Sequence, residues 1–200
     1  IAQALSRSAQ IAVLKNIEDG FQKLEIDLAL YSFWNLAHHL FIRPESYRQI
    51  TCGDLTVGED KETKKRTYVL MVIPVKRRKL RPQPMPYELD EQMGELLVLQ
   101  RQSVIHQNGP LHGIDPLMPD EERKLLENRL ALFPRRVGER KPFDIKHFGI
   151  LETGRELANN YLRPLQRRLV TIKFGFNVMR HTIATHLGAA GCSTQTIQAV

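Results

Sequence analysis

The sequence predicts an α+β protein, mainly helical, with one small antiparallel sheet. Two observations carry that expectation. Apolar residues recur at helical spacing through most of the chain. Only over residues 50–75 does the pattern change, to short β-branched runs flanking a polar turn. With 200 residues, 42% of them hydrophobic and 26% charged, the chain is long and apolar enough for one well-cored domain. Disordered and fibrous classes are excluded. No basic-apolar-small leader is recognisable, and no apolar run approaches the roughly 20 residues that cross a bilayer. The expectation is a soluble, cytoplasmic protein with no membrane partner.

Residues 1–18 are only loosely periodic and read as a linker or leading helix, with the domain proper over 19–200. Beyond Gly20, Leu24, Leu28, Tyr31, Leu36 and Leu40 fall at helical spacing, predicting one buried helix that Pro44 ends. Arg43 then sits at a helix end. A short helix is expected over 45–49, and the alternation of Ile50, Cys52, Leu55 and Val57 predicts a strand. The polar stretch 58–65 is its turn, and "TYVLMVIPV" is its antiparallel partner. Lys76 follows at the hairpin exit. From Tyr87 the pattern "ELDEQMGELLVLQRQSVI" is an amphipathic helix, and the Gly/Pro-rich "HQNGPLHGIDPLMP" is a loop. "DEERKLLENRLALF" predicts a helix with Asp120 as its N-cap. An irregular connection follows, and helix resumes over "ETGRELANNYLRPLQRRL".

Isolated chemistry-bearing residues have plain explanations. The chain's two cysteines, Cys52 and Cys192, lack metal-ligand spacing and read as buried thiols, so no metal is expected. His38 and His39 are adjacent on a helix and point to different faces, which favours packing or surface roles over a ligand pair. His106 and His112 fall in the Gly/Pro loop and are expected to be exposed. Trp34 reads as core. No phosphate-binding glycine loop occurs, which argues against an NTPase or a dinucleotide enzyme; no cofactor is expected.

The formal charge of +7 points outward, because a Lys/Arg surplus attracts polyanions. It concentrates over residues 61–81, "KETKKRTYVLMVIPVKRRKLR". Lys64, Lys65, Arg66, Arg77, Arg78 and Lys79 become candidate DNA-binding residues, with a merely solvated face as the plainer reading.

The closing stretch is more specific. "MRHTIATHLGAAG" followed by "STQTIQAV" resembles the second-arginine box of the tyrosine recombinases, the phage integrase family. "FIRPESYRQITCGDL" is similar to that family's first-arginine box, and "VIPVKRRKLRPQPMPYEL" to its lysine hairpin. The three occur in the family's order and span most of the chain. The resemblance implies the catalytic domain of a site-specific DNA recombinase or integrase. Such an enzyme cleaves and rejoins double-stranded DNA through a 3′-phosphotyrosine, without metal or nucleotide, and self-associates into a synaptic tetramer. It would work in a bacterial cytoplasm, on nucleoid DNA, often for a mobile element.

The implied roles suit the chemistry. Arg43 and Arg180 would clamp the phosphorane-like transition state with bidentate, permanently charged forks. Lys76 would protonate the departing 5′ oxygen, its proton loosened by two neighbouring guanidiniums; Lys79 is the weaker candidate. Two positions depart from the family. Asn177 stands where a proton-carrying His or Lys is usual, and Ser46 where an acid tends to support the first arginine. Asn177 is therefore kept as a catalytic position able to hydrogen-bond a phosphate but not to shuttle a proton. The chain's five tyrosines all precede Arg180, so the resemblance puts the nucleophile beyond Val200 and makes this a fragment inactive by itself. The alternative class is a non-catalytic DNA-binding protein, either a degenerate integrase or a helix-turn-helix regulator suggested by the texture of "ATHLGAAGCSTQTIQAV".

Overall fold

The computed structural model describes residues 4–40, 42–75, 83–135, 148–172 and 174–193. The chain is α+β and mainly helical, with a three-stranded antiparallel sheet. It divides into two compact units: Ile1–Pro44 with Leu157–Val200, and Glu45–Glu156.

The first unit begins with helix α1 (Arg7–Gln22), opened by the Ser6 hydroxyl, which accepts from the Ala9 N–H at 3.2 Å. The single long helix expected from Gly20 to Pro44 is in fact interrupted. Leu24 takes a left-handed φ of 58° and is 90% exposed. Asp27 then caps a new helix, α2 (Leu28–His39), by accepting from the Leu30 N–H at 2.9 Å. Leu24 is therefore not part of the core stripe. An aspartate that can satisfy orphan amides starts a helix more cheaply than the earlier one continues through it.

The chain returns to this unit through a π turn (Ala158–Leu162) and α7 (Arg163–Arg168), and closes with α8 (Phe176–Ala189). An aromatic cluster holds these elements. Trp34, fully buried, stacks on Phe176 with centroids 5.4 Å apart and lies 4.7 Å from Phe174. Its indole N–H donates to the Tyr161 carbonyl at 2.6 Å, and Phe33 stacks on Tyr161 at 4.7 Å. Arg168 ties α7 to the α1–α2 connection through Glu25 at 2.6 Å.

In the second unit, short helix α3 (Pro44–Tyr47, its first residue the last of the first unit) leads to a 3-10 turn at Cys52–Asp54 and strand β1 (Leu55–Glu59). The expected strand thus starts five residues later than Ile50, since Asp54 accepts from Thr51 N–H at 2.7 Å and folds the intervening residues into a turn. β2 (Arg66–Val72) pairs with β1, Leu55 opposite Leu70, and with β3 (Met85–Leu89), Tyr68 opposite Leu89. Periodicity alone predicts a helix from Tyr87 onward, but Tyr87 to Leu89 are strand. Asp90 is the boundary: its carboxylate accepts from the Met93 N–H at 2.8 Å and opens α4 (Glu91–Asn108), leaving 85–89 free to pair. Pro86 fits an edge strand, which can spare an amide donor.

Helix α4 lies directly on β2, because Gly94 leaves room for the Tyr68 ring; a Cβ there would come within 2.1 Å of it. α5 (Asp120–Arg129) starts with Pro119, not Asp120, at its N-cap. α6 (Gly154–Leu157) completes the elements. Two further expectations are corrected. His112 is buried, stacked on Phe148 at 5.3 Å, because a 3-10 turn (Pro110–His112) folds the Gly/Pro loop inward. Cys192 is exposed, whereas Cys52 is buried as expected and burial pushes its thiol up to about 12.

Candidate nucleic-acid interface

Arg43 sits between α2 and α3, just before Pro44. A residue preceding proline is held out of the helical region, so α2 cannot run on into it. Its side chain is exposed, and it makes no ion pair among the described residues. Arg180 is half-buried in the second turn of α8, one turn beyond Phe176 and so on the same side of the helix. Phe176 rests on Trp34 of α2 and, at 5.9 Å, edge-on to Phe33. Both arginines thus belong to the first unit, one on the chain leaving α2 and the other on the helix that α2 supports.

Asn177 is exposed in the first turn of α8, where its amide is open to solvent. Thr182, two residues past Arg180, is fully buried. Its hydroxyl donates to the Val178 carbonyl and accepts from the Leu5 N–H, both at 2.8 Å, fixing α8 to the chain ahead of α1. Thr182 falls in the sequence box around Arg180, but its bond to Leu5, which spans 177 positions, has no signal in the sequence.

His38 lies one turn after Trp34. Its Nδ1–H donates to the Trp34 carbonyl at 2.7 Å, which leaves Nε2 as the bare lone-pair nitrogen. That Nε2 is buried without a hydrogen-bond partner, and burial pulls the imidazole below its ordinary value. The packing role expected for His38 fits this geometry.

The second unit carries the hairpin. Lys64, Lys65 and Arg66 are exposed at the β1–β2 turn, where Asp60 accepts from Thr63 N–H at 2.6 Å and shapes the loop. Two of the three already face acids: Lys64 lies 3.7 Å from Glu59, and Arg66 lies 3.0 Å from Glu95. Tyr68 also donates to Glu95, and with Arg66 holds its carboxyl below the usual range. Lys76, Arg77, Arg78 and Lys79 lie outside the described residues. The residue before them does not: Val75 N–H donates to Ser46 Oγ at 3.1 Å, with Ser46 only 1% exposed. Ser46, in sequence only the place of a missing acid, therefore anchors the chain that leads to Lys76.

Among the described residues no His/Cys/Asp/Glu group could hold a metal ion, and no helix is long and apolar enough to cross a membrane. No protein-family model, curated protein or solved structure matches this chain.

Proposed function

We propose that this chain is part of the catalytic domain of a tyrosine-type DNA strand-cleaving and rejoining enzyme. Arg43 and Arg180 grip the scissile phosphate, Lys76 serves as general acid, and duplex DNA is the substrate. The observation that carries the reading is the setting of the two arginines. They are separated by well over a hundred positions, yet both fall in one compact unit, on the exit of α2 and on the helix packed against α2. Two guanidiniums suit a phosphoryl centre that gains negative charge, since each donates two parallel N–H bonds and stays charged at any working pH. The attacking oxygen in this reading is a tyrosine's, and none of the chain's five tyrosines stands after Arg180. The bond energy is kept in the covalent link, so neither metal nor nucleotide is required.

A second reading, DNA binding without cleavage, is favoured by Asn177. An exposed carboxamide can accept or donate to a phosphate but cannot carry its proton. Both readings meet the same experiment, incubation of a nicked suicide duplex with the 200-residue chain and with the full-length gene product. The proposal expects a covalent protein–DNA adduct from the full-length protein only, nearly abolished by Arg180→Lys and preserved or accelerated by Asn177→His. Absence of adduct from the full-length protein supports the binding reading. An adduct from the 200-residue chain would refute the assignment of the nucleophile.

A further inference from the structure

From the end of α6 through α7, buried positions recur every fourth residue, and three exposed ones keep the same spacing between them. Leu157, Tyr161, Leu165 and Leu169 are all 5% exposed or less, while Asn159, Arg163 and Arg167 are exposed. A strict repeat of four drifts about 40° per step around a 3.6-residue turn. The wider π turn at Ala158–Leu162 takes up part of that drift and keeps the exposed set on one side.

The neighbouring basic residue shows what a structural arginine looks like here. Arg168 is fixed by Glu25 at 2.6 Å and Asn16 at 3.3 Å. Arg163 and Arg167 have no such partner among the described residues. The hairpin, by contrast, already sets Lys64 and Arg66 against Glu59 and Glu95. Gln166 also links α7 to the chain just ahead of the Arg180 helix: its Nε2 donates to the Phe174 carbonyl at 2.6 Å, two residues before α8 begins.

We infer that the Arg163–Arg167 face of α7 is a phosphate-backbone contact for duplex DNA, seated beside the helix that carries Arg180. The inference rests on the reading that DNA is the substrate. A rise of 1.5 Å per residue sets the two side chains about 6 Å apart along the helix. That is close to two nucleotides of one strand at 3.4 Å each, so each guanidinium can take its own phosphate. Such contacts position the duplex without reading its sequence.

The test is a fluorescence-anisotropy titration of a duplex of roughly 20 base pairs, of arbitrary sequence, repeated from about 50 to about 300 mM salt. Removing two phosphate contacts with Arg163→Gln/Arg167→Gln should make the log–log salt slope less steep by about 1.8 and weaken binding at least about tenfold at the low-salt end. Arg163→Lys/Arg167→Lys should keep the wild-type slope. A charge-matched control, Arg7→Gln/Lys15→Gln on the exposed side of α1, should keep it too. A wild-type slope in the glutamine variant, or an equal loss in the control, overturns this surface and leaves the DNA reading standing. A wild-type chain that binds no duplex at any salt overturns both.

Discussion

Removing one ring from the first unit should loosen the platform under Arg180 by a calculable amount. Phe176 is half-buried, stacked on Trp34 at 5.4 Å and edge-on to Phe33 at 5.9 Å. Full burial of a phenylalanine is worth about 1.5–3 kcal/mol, so half burial supplies roughly 1. The two aromatic contacts add about 0.5–1.5 kcal/mol each. Alanine's better helix propensity returns about 0.5 kcal/mol. Phe176→Ala should therefore cost the first unit about 2 kcal/mol, and Phe176→Leu clearly less. The chain's single tryptophan is Trp34 itself, so its fluorescence reports the aromatic cluster that Phe176 belongs to. In a urea titration followed at Trp34, the midpoint should fall by about 1 M, taking a slope near 2 kcal/mol/M. A shift below about 0.2 M, with the native emission spectrum unchanged, would show that Phe176 does not bear on Trp34, and the argument tying α8 to α2 would fail.

Gly94→Ala should destabilise the second unit by about 1–2 kcal/mol, although in an open helix it would stabilise by about 1: the new Cβ meets the buried Tyr68 ring at 2.1 Å. Thermal melts followed by far-ultraviolet circular dichroism give the sign, and a stabilised variant would contradict the packing of α4 on β2. His38 gives a pH dependence. Burial lowers its folded value below the ordinary 6.5 or so, so the unfolded chain binds the proton first as pH falls. Stability should be unaffected by His38 above about pH 7 and should decline from about pH 6.5 downward until the folded value is passed. Urea midpoints of wild type and His38→Gln across that range should converge as the acid loss disappears in the variant; parallel curves would show that His38 titrates normally.

Much of the fold was legible because its determinants are local. The hairpin turn at 58–65, the β-branched strand and the amphipathic α4 each announce themselves within a dozen residues, and the structure has them. The errors lie where a single carboxylate decides a boundary. Asp27 and Asp90 each cap a helix, and each cap turned a stretch that periodicity alone assigned to helix into a break or a strand. His112 and Cys192 were misjudged because burial depends on how a loop folds back, which spacing does not encode. The candidate site divides in the same way. Arg43 and Arg180 are candidates through their neighbours in sequence, Pro44 for one and the run that follows Arg180 for the other. Ser46 and Thr182 were missed as supports because their partners, Val75 and Leu5, lie 29 and 177 positions away.

The central claim is that Arg43 and Arg180 act on one phosphate, and a double-mutant cycle on adduct formation tests it most directly. In the full-length protein on a nicked duplex, Arg43→Lys and Arg180→Lys should each slow single-turnover adduct formation by about 100-fold or more, as expected for loss of a preorganised donor to a developing charge. If both forks hold the same phosphorane, the second substitution should cost far less once the first is made, giving a double variant well short of the roughly 10,000-fold product. Strictly multiplicative losses would put the two arginines on separate tasks, and a wild-type rate in either single variant would contradict the clamp altogether.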